Sequence, residues 1–145
     1  MGDTFRLVAA ATALLTAACC GTVPETLRRH SYPPSFNYVP HEDLHSAMWQ
    51  LAHDTYELDR ILRESASGGG YPREEILGLL AGMDEAARSL GPGGWPANHP
   101  QIGANVDLLR QDIERARQAA ERNPPNYFYA GAVSGACLYC HASRP

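Results

Sequence analysis

Two long stretches of the chain place apolar residues at strictly alternating intervals of three and four. Leu44, Met48, Leu51, Thr55, Leu58 and Leu62, led by His41, form the first. Ile102, Val106, Leu109, Ile113, Ala116 and Ala120 form the second. That rhythm keeps one stripe of a helix against its neighbours along the whole length, and it does not fit a strand. A third stretch carries Ile76, Leu79, Leu80, Met83, Ala87 and Leu90 in a looser form of the pattern. Clusters of Gly and Pro punctuate the rhythm, at Ser67-Gly68-Gly69-Gly70, Gly91-Pro92-Gly93-Gly94-Trp95-Pro96 and Asn123-Pro124-Pro125. Helices are therefore expected over residues 40–64, 72–90, 100–122 and 127–142. Asn98 or His99 is expected to cap the third and Asn126 the fourth. Connections this short favour antiparallel neighbours, so the expected fold class is all-α, an antiparallel up-down-up-down four-helix bundle.

Charge narrows the function. The 145 residues carry 16 acids against 12 bases, a net charge of -4, which does not make a nucleic-acid stripe. Every base is arginine, so a phosphate loop built on lysine and lysine-nucleophile chemistry are excluded. The carboxylate pairs Glu42-Asp43 and Glu74-Glu75 fall in first helical turns, where they complement the helix dipole. Glu114, Arg115 and Arg117 read as a solvated face.

The N-terminus reads as an export leader. Arg6 precedes an uncharged run over residues 7–18, too short for the about 20 residues that span a bilayer. The run closes in Leu15-Thr16-Ala17-Ala18-Cys19, which resembles a bacterial lipobox and implies lipidation at Cys19; plain cleavage near Cys20 is the alternative. The expected organisation is a lipoprotein-type signal peptide over residues 1–19, a Pro-rich tether over 20–40 and a helical domain over 41–145. The tether holds Pro24, Pro33, Pro34 and Pro40, with Tyr32, Phe36 and Tyr38 as candidates to lie on the domain. The mature chain is expected at the periplasm or cell envelope, held to the membrane by its lipid.

Apart from Cys19 and Cys20, the cysteines are Cys137 and Cys140, followed by His141. No pair remains to staple distant parts of the fold. Cys-Leu-Tyr-Cys-His has the C-x-x-C-H spacing at which c-type haem attaches. Thiols three apart on a helix share one side, where each can form a thioether with a vinyl group, and the histidine that follows is held beneath the iron. Competing uses are a redox dithiol, a zinc site and a local disulfide. The first wants a helix start, the second wants further ligands, and the third strains a helix.

An exported chain with four amphipathic helices and C-x-x-C-H near its C-terminus resembles the class II c-type cytochromes, the cytochrome c-prime family and its low-spin relatives. The resemblance covers residues 41–143. It implies one covalent haem c, with Cys137 and Cys140 as thioether sites and His141 as axial ligand. The family commonly follows that histidine with an aromatic-arginine pair. Here Ala142-Ser143-Arg144-Pro145 follows, which leaves Arg144 as the propionate partner one residue out of register. Family members often form homodimers, and the resemblance admits one here.

The sixth iron ligand separates the expected functions. In the expected topology the end of helix four lies beside the start of helix one and of helix three. Met48 is the candidate there; His41, His45, His99 and an open site are the alternatives. The family's low-spin members place a helix-one methionine on iron, and its high-spin members leave the position open to nitric oxide or carbon monoxide. Met48 and Met83 also suit plain core packing. Trp49 is expected at the surface, His53 in solvent, and Tyr127, Phe128 and Tyr129 in bundle packing. The reading that follows is an electron carrier and not an enzyme, passing single electrons between redox partner proteins. A gas-binding haem protein is the alternative. A peroxidase with His45 as distal acid-base is a weaker one.

Overall fold

The computed structural model describes Leu27, Ser31, Pro33, residues 35–91 and residues 97–142. The chain divides into two units, Met1–Tyr32 and Pro33–Pro145. In the first, Leu27 and Ser31 are helical and exposed, and the Ser31 hydroxyl donates to the Leu27 carbonyl at 2.7 Å. Cys19, Cys20 and the predicted leader lie outside the described residues.

The second unit is all-α among its described residues. Its helices are α1 (His41–Glu64), α2 (Arg73–Ser89), α3 (Pro100–Glu121), α4 (Phe128–Ala132) and α5 (Leu138–His141). A wide π turn, Ser65–Gly69, ends α1, with Gly68 at φ 114°. A 3-10 segment, Val133–Cys137, joins α4 to α5. Non-helical pairing is confined to an isolated bridge between Asn37 and Ala97. No described helix is long and apolar enough to cross a membrane.

Neighbouring helices run in opposite directions. Ser46 and Gln50 of α1 share a groove with Glu85 and Ser89 of α2, while Ile61 lies by Glu75. Asp84 of α2 pairs with Arg110 of α3 at 3.3 Å, and Arg73 reaches the carbonyl of Glu121 at the far end. The Asn126 amide donates to the Ala119 carbonyl at 2.9 Å, which turns the chain back along α3. Leu62, late in α1, lies by Gly131 of α4.

The α3 stripe is buried at all six expected positions, and Ile76, Leu80, Met83, Ala87 and Leu90 are buried from the α2 stretch. In α1 the stripe is turned by one residue. Ala47, Leu51, Asp54, Leu58 and Ile61 are buried, Leu44, Met48, Thr55 and Leu62 are half-buried, and His41 is exposed. The cause lies in α2. A Cβ at Gly82 would stand 2.7 Å from Asp54 Oδ2, so the carboxylate occupies the space that glycine leaves open. Asp54 is only 4% exposed, and Gln50 Nε2 donates to its Oδ1 at 2.9 Å. Gln50 holds the carboxylate through Oδ1 alone, and Oδ2, in the notch, is buried with no hydrogen-bond partner; the glycine supplies the space that lets α1 take this rotation.

Helix four is not continuous. Val133, Ser134 and Gly135 are poor helix formers, and the segment tightens to three residues per turn. At that pitch every third residue shares one side, and Ala130, Val133 and Ala136 are all buried. The N-cap position is Tyr127 and not the expected Asn126, which lies one residue earlier with its Oδ1 accepting from the Phe128 amide at 2.9 Å. Phe128 itself is 75% exposed and Tyr129 is also exposed, so only Tyr127 of the aromatic triplet packs on the core.

Neither expected cap serves α3. Asn98 instead donates to the Val39 carbonyl at 2.8 Å and accepts from the Val39 amide at 2.9 Å. Val39 and Pro40 are buried, so the end of the predicted tether is sealed onto the start of α3. Asn98→Ala should cost about 2 kcal/mol in urea unfolding, because it strips both partners from a buried backbone unit. It should also speed hydrogen exchange at the Val39 amide. Unchanged stability and protection would show that this pairing does not hold the two lead-ins together.

Candidate functional site

The C-x-x-C-H residues span the end of the 3-10 segment and all of α5. Cys137 is exposed, Cys140 is half-buried, and both are free thiols. Burial, and next the neighbouring Cys137, push the Cys140 thiol above the ordinary range. Its Sγ contacts the Gln101 carbonyl at 3.7 Å, which sets the motif against the first turn of α3. His141 is the exposed last residue of α5.

Several segments of the chain meet at this end of the unit. Asn98 joins the start of α1 to the start of α3, and Cys140 joins α5 to Gln101. A side chain at Gly91, which follows α2, would collide with the Asn37 carboxamide. The lead-in to α1, the end of α2, the start of α3 and the motif therefore share one pole.

Met48 is half-buried on the flank of α1 and packs against the core. His41 and His45 are exposed, with ring centroids 6.4 Å apart. The Trp49 indole donates to His45 Nε2 at 3.1 Å, so that imidazole nitrogen is engaged on the outer face of α1. Trp49 is 67% exposed. His99 is half-buried just before α3. His53 is largely exposed, with Nδ1 3.2 Å from Asp54 Oδ1. Arg144 lies outside the described residues.

Two participants escape the sequence. The Tyr139 hydroxyl, inside the motif, donates to Asp112 Oδ2 at 2.7 Å. That bond, with the Asp112 charge behind it, raises the phenol above its usual range. Asp112 also accepts from Arg115 at 2.9 Å on its other oxygen. The partners are far apart in the chain, and no local pattern links them. Asp54 left a visible sign, a carboxylate between Leu51 and Leu58, but Thr55 fits the alternating rhythm equally well.

Two free thiols three residues apart, with a histidine next in the chain, are the residues here that could hold a prosthetic group. Gly135, shortly before Cys137, has nothing within 4 Å of where a Cβ would stand, so the backbone beside the motif is open. Among the described residues no three His, Cys, Asp or Glu side chains are grouped to hold a bare metal ion. No known protein family, curated protein or solved structure matches the chain.

In the haem-free protein at pH 8, iodoacetamide should alkylate Cys137 several-fold faster than Cys140, read by peptide mass spectrometry. The exposed thiol is open to attack, whereas the half-buried one is less ionised and partly covered. Equal rates would contradict the seating of Cys140 on α3.

Proposed function

We propose that the chain is an exported monohaem c-type cytochrome of the class II kind. Its helical unit is then an antiparallel up-down-up-down four-helix bundle, anchored at the cell envelope through a lipid on Cys19. Its work is one-electron transfer between redox partner proteins. The observation that carries the reading is the Cys137, Cys140, His141 motif, with both thiols free, at the pole where the leads into α1 and α3 meet.

When bound, haem supplies a one-electron ferric/ferrous couple. The protein's own residues do the rest. Cys137 and Cys140 hold the macrocycle by two thioethers, so it stays in place in both redox states. His141 would offer an imidazole nitrogen to the iron. Met48 would be the candidate for a second iron ligand, a soft thioether that favours ferrous iron and raises the potential. His45 is a poorer candidate because its Nε2 already accepts from Trp49. With no lysine in the chain, docking charge comes from arginines, or from acids meeting a basic partner.

One observation favours the gas-binding alternative: Met48 already packs against the core, and a methionine so placed leaves the iron open. Spectra decide between the two. The purified holoprotein, reduced and then exposed to carbon monoxide, should show a Soret band that barely moves, and Met48→Ala should move it strongly. A strong shift in the wild type that Met48→Ala does not change supports the open site and removes Met48 as a ligand.

A further inference from the structure

The turn that carries the motif has little of its own to hold it. No residue of α5 is buried, and no side chain caps it. It is a single helical turn after a 3-10 segment, with neither the length nor the apolar stripe that seats α1, α2 and α3. Two side-chain contacts join it to α3: the Cys140 thiol to the Gln101 carbonyl, and the Tyr139 hydroxyl to Asp112. They diverge along α3, one toward its start and one toward its middle, and so oppose rotation and sliding of the turn together. The direction of Tyr139 follows from helix geometry. Side chains lean toward the N-terminus of their own helix, and α5 runs against α3, so the phenol points back toward the middle of α3.

Haem attachment removes one of these two contacts. Adding a thiol across a vinyl group forms a carbon-sulfur bond and breaks the sulfur-hydrogen bond. The hydrogen goes to the neighbouring vinyl carbon, and no electrons are gained or lost overall. The sulfur of Cys140 then has no hydrogen to donate to Gln101. The Tyr139 bond has no such liability: its donor and acceptor are both outside the reaction. Asp112 is held in turn, because Arg115 binds its second oxygen at 2.9 Å while lying 6.0 Å over the Tyr129 ring. Acceptor, phenol and the start of helix four are thereby linked through one network.

We infer that Tyr139 is a positioning residue: its hydrogen bond to Asp112 fixes the rotation of the C-x-x-C-H turn on α3, and with it the orientation of the His141 imidazole toward iron. The inference rests on the haem reading above. The bond lies at the surface, so it acts by fixing direction more than by strength, and an imidazole two residues further along the same helical turn moves with the phenol that anchors it.

The test uses the full-length holoprotein and reads the ferric electron-paramagnetic-resonance g-values, which report the imidazole plane, together with the reduction potential. Tyr139→Phe should shift both while leaving the far-ultraviolet helical signal in place. Asp112→Ala should shift them in the same sense, and the double variant should go no further than either single one. Asp112→Asn keeps a carbonyl acceptor and should stay close to wild type, since the exposed Arg115 pair that it weakens is worth little. Failure of Tyr139→Phe and Asp112→Ala to take up haem, with Asp112→Asn normal, supports the inference equally. It would mean that the turn loses its place before attachment. Haem-loaded Tyr139→Phe with wild-type g-values and potential overturns the inference and leaves the cytochrome reading intact. Asp112→Asn as damaged as Asp112→Ala also overturns it, because charge and not the hydrogen bond would then be at work. A wild-type protein without covalent haem overturns both readings.

Discussion

The seat that α3 offers to the last turn of the chain is the constraint on which the site depends. Residues 138–141 bury nothing, so their position is borrowed from a neighbour whose own position is secure. That security comes from apolar burial. Ile113 and Ala116 are fully buried, and Val106 nearly so. Each such side chain contributes about 1 to 3 kcal/mol relative to exposure. The surface ion pairs along α3, such as Arg117 with Glu114 and Glu121, add little by comparison. The hydrophobic stripe thus fixes the axis of α3, and polar contacts on its other sides fix what rests upon it.

The same division appears at the pole. Asn98 holds Val39 through a backbone donor and acceptor at once. Cys140 meets Gln101 through a backbone carbonyl. Contacts to backbone hold position with little regard to side-chain rotamer, which suits a place where chain segments converge. The small residues ahead of the motif have a matching effect. Val133, Ser134 and Gly135 let the chain tighten, which buries Ala130, Val133 and Ala136 on one side and leaves Gly135 bare on another.

The helices and most of their core could be read from the chain alone because apolar spacing and Gly/Pro punctuation are local signals. The α3 stripe is the clearest case, with Ile102 through Ala120 all buried. The rotation of α1 could not be read, because it depends on a glycine in another helix. Asp54 and Gly82 mean nothing separately and fix a register together. The break in helix four was foreshadowed by its small residues, though small residues alone do not say whether a helix bends, tightens or continues. At the candidate site, Cys137, Cys140 and His141 stand out in the chain by their spacing. Their supports, Asp112 and Gln101, do not, since a hydrogen bond across helices leaves no periodic trace. His41, expected on the inner stripe, is exposed, while Met48, Thr55 and Leu62 on the same face are half-buried.

The central claim is a covalent bond between this polypeptide and a haem, and extraction tests it most directly. The protein, matured in a host with a working haem-ligation apparatus, is treated with acidified acetone, which strips haem held only by coordination. The account predicts that the colour stays with the precipitated protein, and that a peptide containing residues 137–141 carries the mass of one haem. Colour passing wholly into the solvent, or a peptide of unmodified mass, would contradict it.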